Sequence, residues 1–244
     1  MSQMSDDLYL GTALIPSVSD SGNPSPMSQG VGPMGRVYIW DTVPLTLQAA
    51  GLRTAAASTG AVDLVLTAGT GVTLRVRADG TNEYVLDVPR CVTVTAAGAN
   101  TATLIVYGFD QYGQAMSQAL AAPSTSTVAT TKAFKTVTRI AISGTAGSNI
   151  SCGYNDKLGI PVRVTDVGYV TSVKYNATLA ADAGTFVAAD VTSPATASTT
   201  DVRGCYTPSS ACNGTKRLVM TIALPAIAVG PNATRLGAVG VDQV

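Results

Sequence analysis

The residue types that most often perform catalysis are scarce in this chain of 244 residues. It contains no histidine, so the commonest general base and the commonest metal ligand are both absent. A serine nucleophile would need another base, and no S-x-x-K motif supplies a lysine. Asp110, Asp156 and Asp166 are too widely spaced to suggest a carboxylate pair, and each lies near a glycine or asparagine in a predicted turn. We therefore expect no enzymatic activity.

Loops that could hold a phosphate or a metal ion are also missing from the sequence. Gly69-Thr-Gly71 and Gly144-Thr-Ala-Gly147 fit neither the Walker A motif nor the G-x-G-x-x-G fingerprint, and neither precedes a predicted helix. No D-x-[DN]-x-[DN]-G pattern offers a calcium loop. The sequence therefore predicts neither a cofactor nor a bound metal.

The four cysteines are Cys91, Cys152, Cys205 and Cys212, and no two of them form a C-x-x-C pair. Cys205 and Cys212 flank a short loop that is able to bring them together. Two interpretations remain open: four reduced thiols in a protein made in a cytoplasm, or a Cys205–Cys212 disulfide formed after release into an oxidising medium.

The balance of charge excludes two classes of partner. Fifteen basic and fifteen acidic residues give zero net charge, so nothing favours nucleic acid or an anionic membrane across the whole surface. No stretch approaches the roughly 18 apolar residues that span a bilayer.

The nearest approach to a base-stacking surface is residues 132–139, but strict strand alternation there places Phe134 on one face and Lys135 and Arg139 on the other. That face fits an acidic protein neighbour better than nucleic acid.

The composition predicts an all-β fold, because the chain has a single glutamate, Glu83, and many β-branched residues. Val72, Leu74 and Val76 alternate with polar residues, which is typical of a half-buried strand. About a dozen such runs separated by turn signals indicate an antiparallel sandwich or a barrel-like β domain.

Three segments are expected along the chain. Residues 1–35 are rich in Ser, Gly and Pro without periodicity, and we interpret them as an extended N-terminal arm, either disordered or ordered against a neighbouring subunit. Residues 36–160 should form a β domain. Residues 161–244 should form a second β module or continue the same domain.

Three stretches of the sequence resemble segments of tailed-bacteriophage virion proteins. Residues 103–118 contain Gly-Phe-Asp-Gln-Tyr-Gly, which is similar to a strand-turn-strand unit that recurs in those proteins. Residues 132–140 and 153–161 look like its continuation, and residues 201–218 resemble a loop that closes such proteins. Cys205 and Cys212 depart from the pattern, so a local disulfide there would be particular to this chain.

The resemblance implies a non-enzymatic virion structural protein, made in the host cytoplasm and then incorporated into a phage particle. We expect it to decorate or cement the capsid by bridging neighbouring subunits, as a homo-oligomer whose partners are capsid or other virion proteins. A collar, tail or fibre-attachment subunit is an alternative, and a carbohydrate-binding adhesin module is a further one. The residues expected at contacts with other subunits are Tyr38, Trp40, Phe134, Lys135, Arg139, Asp201 and Arg203.

Overall fold

The computed structural model describes residues 8–9, 12–18, 24–33, 35–190 and 200–225. All pairings between the described strands are antiparallel, and the helical part of these ranges is one 3₁₀ turn at Val167–Tyr169. The predicted all-β class is therefore confirmed.

The strands range from two to sixteen residues, and the two longest lie at the centre of the large sheet. In chain order they are β1 (Leu8–Tyr9), β2 (Thr12–Val18), β3 (Pro24–Pro33), β4 (Gly35–Thr42), β5 (Gln48–Ala56), β6 (Val62–Asp63), β7 (Val72–Val76), β8 (Asn82–Ala96), β9 (Leu104–Phe109), β10 (Ala115–Leu120), β11 (Thr127–Ile142), β12 (Ile150–Gly159), β13 (Val170–Tyr175), β14 (Thr185–Val187), β15 (Cys205–Thr207) and β16 (Leu218–Pro225).

Two sheets form the body of the protein. The larger has ten strands, with the path β10-β9-β11-β8-β12-β15-β14 and with β5, β6 and β7 paired beside it, and it curls into a half-barrel. The smaller has the order β1-β4-β16-β13. A separate two-stranded sheet joins β2 to β3.

Two large apolar clusters form the core, and the large sheet contributes residues to both. The half-barrel is filled mainly by aliphatic side chains, among them Leu86, Val94 and Leu104. The second cluster lies against the smaller sheet and combines Trp40 and Leu158 with residues from later in the chain. Because β14 and β15 complete the large sheet, strands on both sides of residue 160 belong to one sheet.

Part of the predicted N-terminal arm forms strands. β1 pairs with the beginning of β4, and β2 pairs with β3. The other residues of the 1–35 segment lie outside the described ranges. The idea that this arm contacts a neighbouring subunit stays a prediction.

The prediction that side chains alternate strictly between the two faces along residues 132–139 is wrong, because β11 contains bulges. Its register against β8 shifts between Phe134 and Thr136, and its register against β9 shifts between Val137 and Arg139. A bulge adds a residue to one strand and changes the face to which the following side chains point. As a result Phe134, Val137 and Ile140 all lie in the half-barrel core.

The prediction that β7 is a half-buried strand is also wrong beyond its first residue. Val72 is buried, but Leu74 and Val76 are 47% and 60% exposed. These side chains are exposed because β7 lies at the edge of the large sheet. It pairs with β8, and no other described strand pairs with its second edge. Leu74 therefore lies at the open side of the half-barrel, opposite the buried Tyr84.

Gly108 provides a test of this strand arrangement. A methyl group added there would lie 1.9 Å from the carbonyl oxygen of Thr136, so β9 and β11 would have to separate. We expect Gly108→Ala to lower the free energy of unfolding by about 3 kcal/mol, measured by urea denaturation.

Gly144→Ala is the matched control. No heavy atom lies within 4 Å of a methyl group at Gly144, and its φ is not positive. We expect this variant to stay within about 0.5 kcal/mol of the wild type. Equal unfolding midpoints for the two variants would contradict the observed approach of β9 to β11.

Candidate functional site

A buried ion pair joins the turn after β9 to the loop before β15. Nη2 of Arg203 lies 2.7 Å from Oδ2 of Asp110, and the two side chains are only 3% and 2% exposed. Oδ1 of Asp110 also accepts hydrogen bonds from the backbone N–H groups of Tyr112 and Gln114, at 2.8 and 2.9 Å. One carboxylate therefore caps its own turn and binds an arginine from a distant part of the chain.

Asp201 connects the same loop to β11. Its Oδ2 accepts a hydrogen bond from the backbone N–H of Ala133 at 3.1 Å, and its Oδ1 accepts one from the N–H of Arg203 at 3.0 Å. Burial raises the pKa of Asp201, although these two donors and the Arg203 charge oppose that shift. The role of this carboxylate is to fix the loop against the central strand.

Tyr112 adds a third connection. Its ring lies under the Arg203 guanidinium, with 5.0 Å from Cζ to the ring centroid. Its hydroxyl donates to the carbonyl oxygen of Pro161 at 2.9 Å. Tyr112 thus holds three segments together: the turn that contains Asp110, the segment around Pro161 and the loop that contains Arg203. We call the buried residues Asp110, Pro161, Asp201 and Arg203, together with Tyr112 at their edge, which is 41% exposed, the buried polar cluster.

A second buried arginine stabilises the neighbouring part of β8. Arg90 is fully buried; its Nε and Nη2 donate to the two carboxylate oxygens of Asp87 at 2.7 Å, and Nη1 lies 3.2 Å from Oδ1 of Asp156. Its remaining donors bind the carbonyl oxygens of Leu45 and Asn155. The planar guanidinium thus binds two carboxylates and two carbonyl oxygens. These contacts compensate for the free-energy cost of burying its charge.

These contacts surround a groove of about 700 Å³ between the smaller sheet and the half-barrel, which we call the β4 groove. One wall is a continuous stretch of β4 and the other comes from segments fixed by Arg90 and by the buried polar cluster. Its lining residues are Tyr38, Ile39, Trp40, Asp41, Thr42, Asp87, Val88, Pro89, Gln111, Tyr112, Lys135 and Pro161.

Lys135 lies at one side of the β4 groove. Its ammonium donates hydrogen bonds to the carbonyl oxygens of Leu86 and Asp87, at 2.6 and 2.7 Å, and burial lowers its pKa. A depression of about 350 Å³ adjoins the groove there, since both are lined by Lys135 and Gln111. The groove and the depression together form a concave surface across β11.

The structure brings three of the predicted contact residues together. Tyr38, Trp40 and Lys135 all line the β4 groove. Trp40 is buried, whereas Tyr38 and Lys135 are half-buried. Arg139 lies elsewhere, exposed on β11, where its guanidinium packs over Tyr107 and pairs with Asp63 at 3.3 Å.

The other three predicted contact residues require correction. Phe134 is fully buried because the bulges turn it into the half-barrel core. Asp201 and Arg203 are 3% exposed, so they are not accessible for contact with another subunit. The carboxylate that binds the Arg203 guanidinium at 2.7 Å is Asp110, which the sequence presented only as the cap of its own turn.

The possible Cys205–Cys212 disulfide is also corrected, because all four cysteines are free thiols. Cys205 lies beside Cys91 in a small buried cluster, whereas Cys212 belongs to the cluster at the smaller sheet. The hydrogen bond with Cys205 and full burial both raise the pKa of the Cys91 thiol. The fold pairs Cys205 with a residue from β8 instead of its near neighbour in sequence.

Sequence reasoning missed Arg90 and Asp87, which hold one wall of the groove. A signal was present: both charged residues interrupt the mainly apolar run of residues 84–94 within β8. A charge inside a central strand is expected to have a partner, since an unpaired buried ion is costly. The partners Leu45 and Asp156 come from other segments, which the pattern along β8 does not identify.

Within the described ranges no group of three His, Cys, Asp or Glu residues is placed to hold a metal ion. The same part of the chain has no helix that is long and apolar enough to cross a membrane. Comparison with known proteins gives no match to a family model, to a curated protein or to a solved structure.

We expect the Asp110–Arg203 ion pair of the buried polar cluster to make a large contribution to the free energy of unfolding. Arg203→Met leaves the Asp110 carboxylate buried without its counter-ion, and we expect a loss of about 3–5 kcal/mol in the free energy of unfolding, measured by urea denaturation. The double variant Asp110→Asn/Arg203→Met removes both charges and should recover part of this loss.

Arg217→Met is the control for removing an arginine from an ion pair. Arg217 pairs with Asp41, but its side chain is 61% exposed. This variant should leave the urea midpoint nearly unchanged, because water replaces the lost partner. If Arg203→Met were equally harmless, the Asp110–Arg203 pair would not be the contact that holds the two loops.

Proposed function

We propose that this protein is a non-enzymatic structural component of a tailed-bacteriophage particle and that it decorates the capsid. One observation carries the proposal: the three stretches that resemble phage virion proteins meet in the buried polar cluster. Asp110 comes from the first, Pro161 from the second, and Asp201 and Arg203 from the third. Separate motifs that contact one another in this way are best explained as parts of one structural unit.

The chemistry of the charged residues supports a structural role. Asp87 and Asp110 are bound by arginines, and Asp201 is bound by backbone N–H groups. Carboxylates held in this manner position loops, whereas a general acid or base needs access to a substrate. The proposal therefore assigns these groups to the stability of the surface that they support.

The exposed edge strand β7 provides a surface for contacts with a capsid. Leu74 and Val76 are exposed there, and β8 is the one described strand that pairs with β7. An unpaired strand edge with apolar side chains favours association with another chain. With zero net charge, such contacts would depend on shape, apolar burial and hydrogen bonds.

Decoration would stabilise the capsid by mass action. A protein that binds the assembled lattice but not the free subunits lowers the free energy of the lattice by an amount that grows with its free concentration. Particles that lack this protein should therefore release their DNA at a lower temperature than complete particles. Dye access to packaged DNA during heating measures this directly, and adding back the purified protein should restore the higher temperature.

Surface variants test whether binding uses β7. Leu74→Glu/Val76→Glu should fold normally but fail to restore heat resistance, because charged side chains oppose close packing. Leu179→Glu is the control, since Leu179 is 94% exposed and lies outside the large sheet. Equal DNA release from complete and deficient particles would contradict decoration itself. Full rescue by the β7 variant would contradict only the proposed contact surface.

A further inference from the structure

The depression of about 350 Å³ beside Lys135 lies on the outer face of the large sheet, and we call it the β7 depression. Its lining residues on β8 alternate with Tyr84 and Leu86, which belong to the half-barrel core, so they point to the opposite face. The residues that give the depression its chemical character are Arg75, Arg77, Glu83, Val85, Phe109 and Lys135.

Basic groups outnumber acidic groups in this lining. The charged side chains that line the β7 depression are those of Arg75, Arg77, Glu83, Asp110 and Lys135. Asp110 is already neutralised by Arg203, whose guanidinium lies 2.7 Å from its carboxylate. The single carboxylate of Glu83 therefore faces three cations, and the lining carries an excess of positive charge.

Glu83 contacts both arginines of the β7 depression but leaves much of each guanidinium open. Nε of Arg75 donates to Oε2 of Glu83 at 2.6 Å, and Nη1 of Arg77 lies 3.4 Å from Oε1 of the same carboxylate. The Glu83 side chain is only 3% exposed, whereas those of Arg75 and Arg77 are 64% and 46% exposed. A guanidinium has five N–H donors, so both arginines keep donors that are open to a ligand.

Lys135 is the cation of this lining that has no ion-paired carboxylate among the described residues. Its ammonium donates to the carbonyl oxygens of Leu86 and Asp87, at 2.6 and 2.7 Å. The Asp87 carboxylate acts on it only from a distance, since Arg90 holds both oxygens of that group at 2.7 Å. An ammonium has three N–H donors, so one donor remains after these two bonds.

Apolar side chains lie among these cations. The Arg77 guanidinium packs over the Phe109 ring, with 5.2 Å from Cζ to the ring centroid, and Val85 is half-buried in the same lining. A matching ligand therefore combines closely spaced carboxylates with short apolar stems, which is the chemistry of aspartate and glutamate side chains in a peptide. A lone phosphate would use the cations but not the apolar part of the lining.

We propose that the β7 depression binds an acidic segment of a partner protein, with neighbouring carboxylates that act as counter-ions for Arg77 and Lys135. Because these cations line one depression, two carboxylates of the same short segment can reach both of them. Guanidinium and carboxylate groups form paired, charge-assisted hydrogen bonds, which give such a site directional specificity. The inference goes beyond the virion role, because the site would bind an acidic segment wherever this protein is located.

The test measures binding of a synthetic acidic peptide, Gly-Glu-Asp-Glu-Asp-Gly, labelled with tetramethylrhodamine, by fluorescence anisotropy. It should bind the wild-type protein about tenfold more tightly than a neutral peptide in which Gln and Asn replace Glu and Asp. Binding should weaken as sodium chloride is added, because salt screens exposed charges. Equal binding of the two peptides would overturn the proposal. An oligo-dT of equal charge that competes equally well would overturn the assignment to a protein segment.

Charge-removal variants locate the binding. Arg77→Gln/Lys135→Gln removes two cations of the depression but leaves Glu83 its other arginine, and it should bind the acidic peptide about tenfold more weakly. Arg139→Gln/Arg217→Gln is the matched control, because it removes the same net charge from exposed arginines outside the depression. Equal losses in the two variants would indicate attraction by net charge alone and would contradict the proposed site.

Glu83→Gln provides a measurement that loss of folding cannot imitate. The amide keeps the shape of the carboxylate but releases Arg75 and Arg77 from their ion pairs. The acidic peptide should therefore bind about threefold more tightly to this variant than to the wild type. Unchanged or weaker binding would contradict the proposal that the cations of the β7 depression hold the peptide.

Discussion

The ion pair between Asp110 and Arg203 determines how three loops lie on the central strands. Two charges that are almost completely excluded from water are costly to bury, and Coulomb attraction across the 2.7 Å between Nη2 of Arg203 and Oδ2 of Asp110 offsets that cost. Here the carboxylate receives two backbone N–H groups as well as the guanidinium, and the guanidinium also packs on Tyr112. Moving any of these groups would leave a buried charge unsatisfied, so the three loops are fixed as a unit.

The position of the β4 groove follows from this constraint. Tyr112 and Pro161 line the groove and also belong to the buried polar cluster, so the cluster sets the place of one wall. Arg90 does the same for Asp87 and the adjacent part of β8. Because buried ion pairs hold these segments, they also fix the shape of the concave surface between β4 and β8.

Local sequence patterns predicted the strands well where neighbouring strands run in simple register. In β9, Leu104 and Val106 are buried and Ile105 is exposed, as alternation requires. In β11 the same rule fails, because bulges interrupt its pairing with β8 and with β9, and they bring Phe134 and Val137 into one core. A bulge depends on the partner strands, and the sequence of one strand does not reveal it.

The site was less predictable because its contacts join distant parts of the chain. The turn at Asp110 was evident from its Asp and Gly residues, but the binding of Arg203 to it depends on the path of the intervening strands. Likewise, nearness in sequence makes Cys212 the candidate partner in one of the two interpretations of Cys205, whereas the fold places Cys205 beside Cys91. Long-range partners of this kind follow from the topology, which local patterns do not specify.

The proposed decoration of a phage capsid requires many copies of this protein in each particle. Quantitative mass spectrometry of purified particles, with the major capsid protein as internal standard, measures the number of copies per particle directly. Decoration predicts hundreds of copies, in a fixed ratio to the capsid protein. A dozen copies or fewer would assign the protein to the portal and tail axis, and its absence from the particle would contradict a virion role altogether.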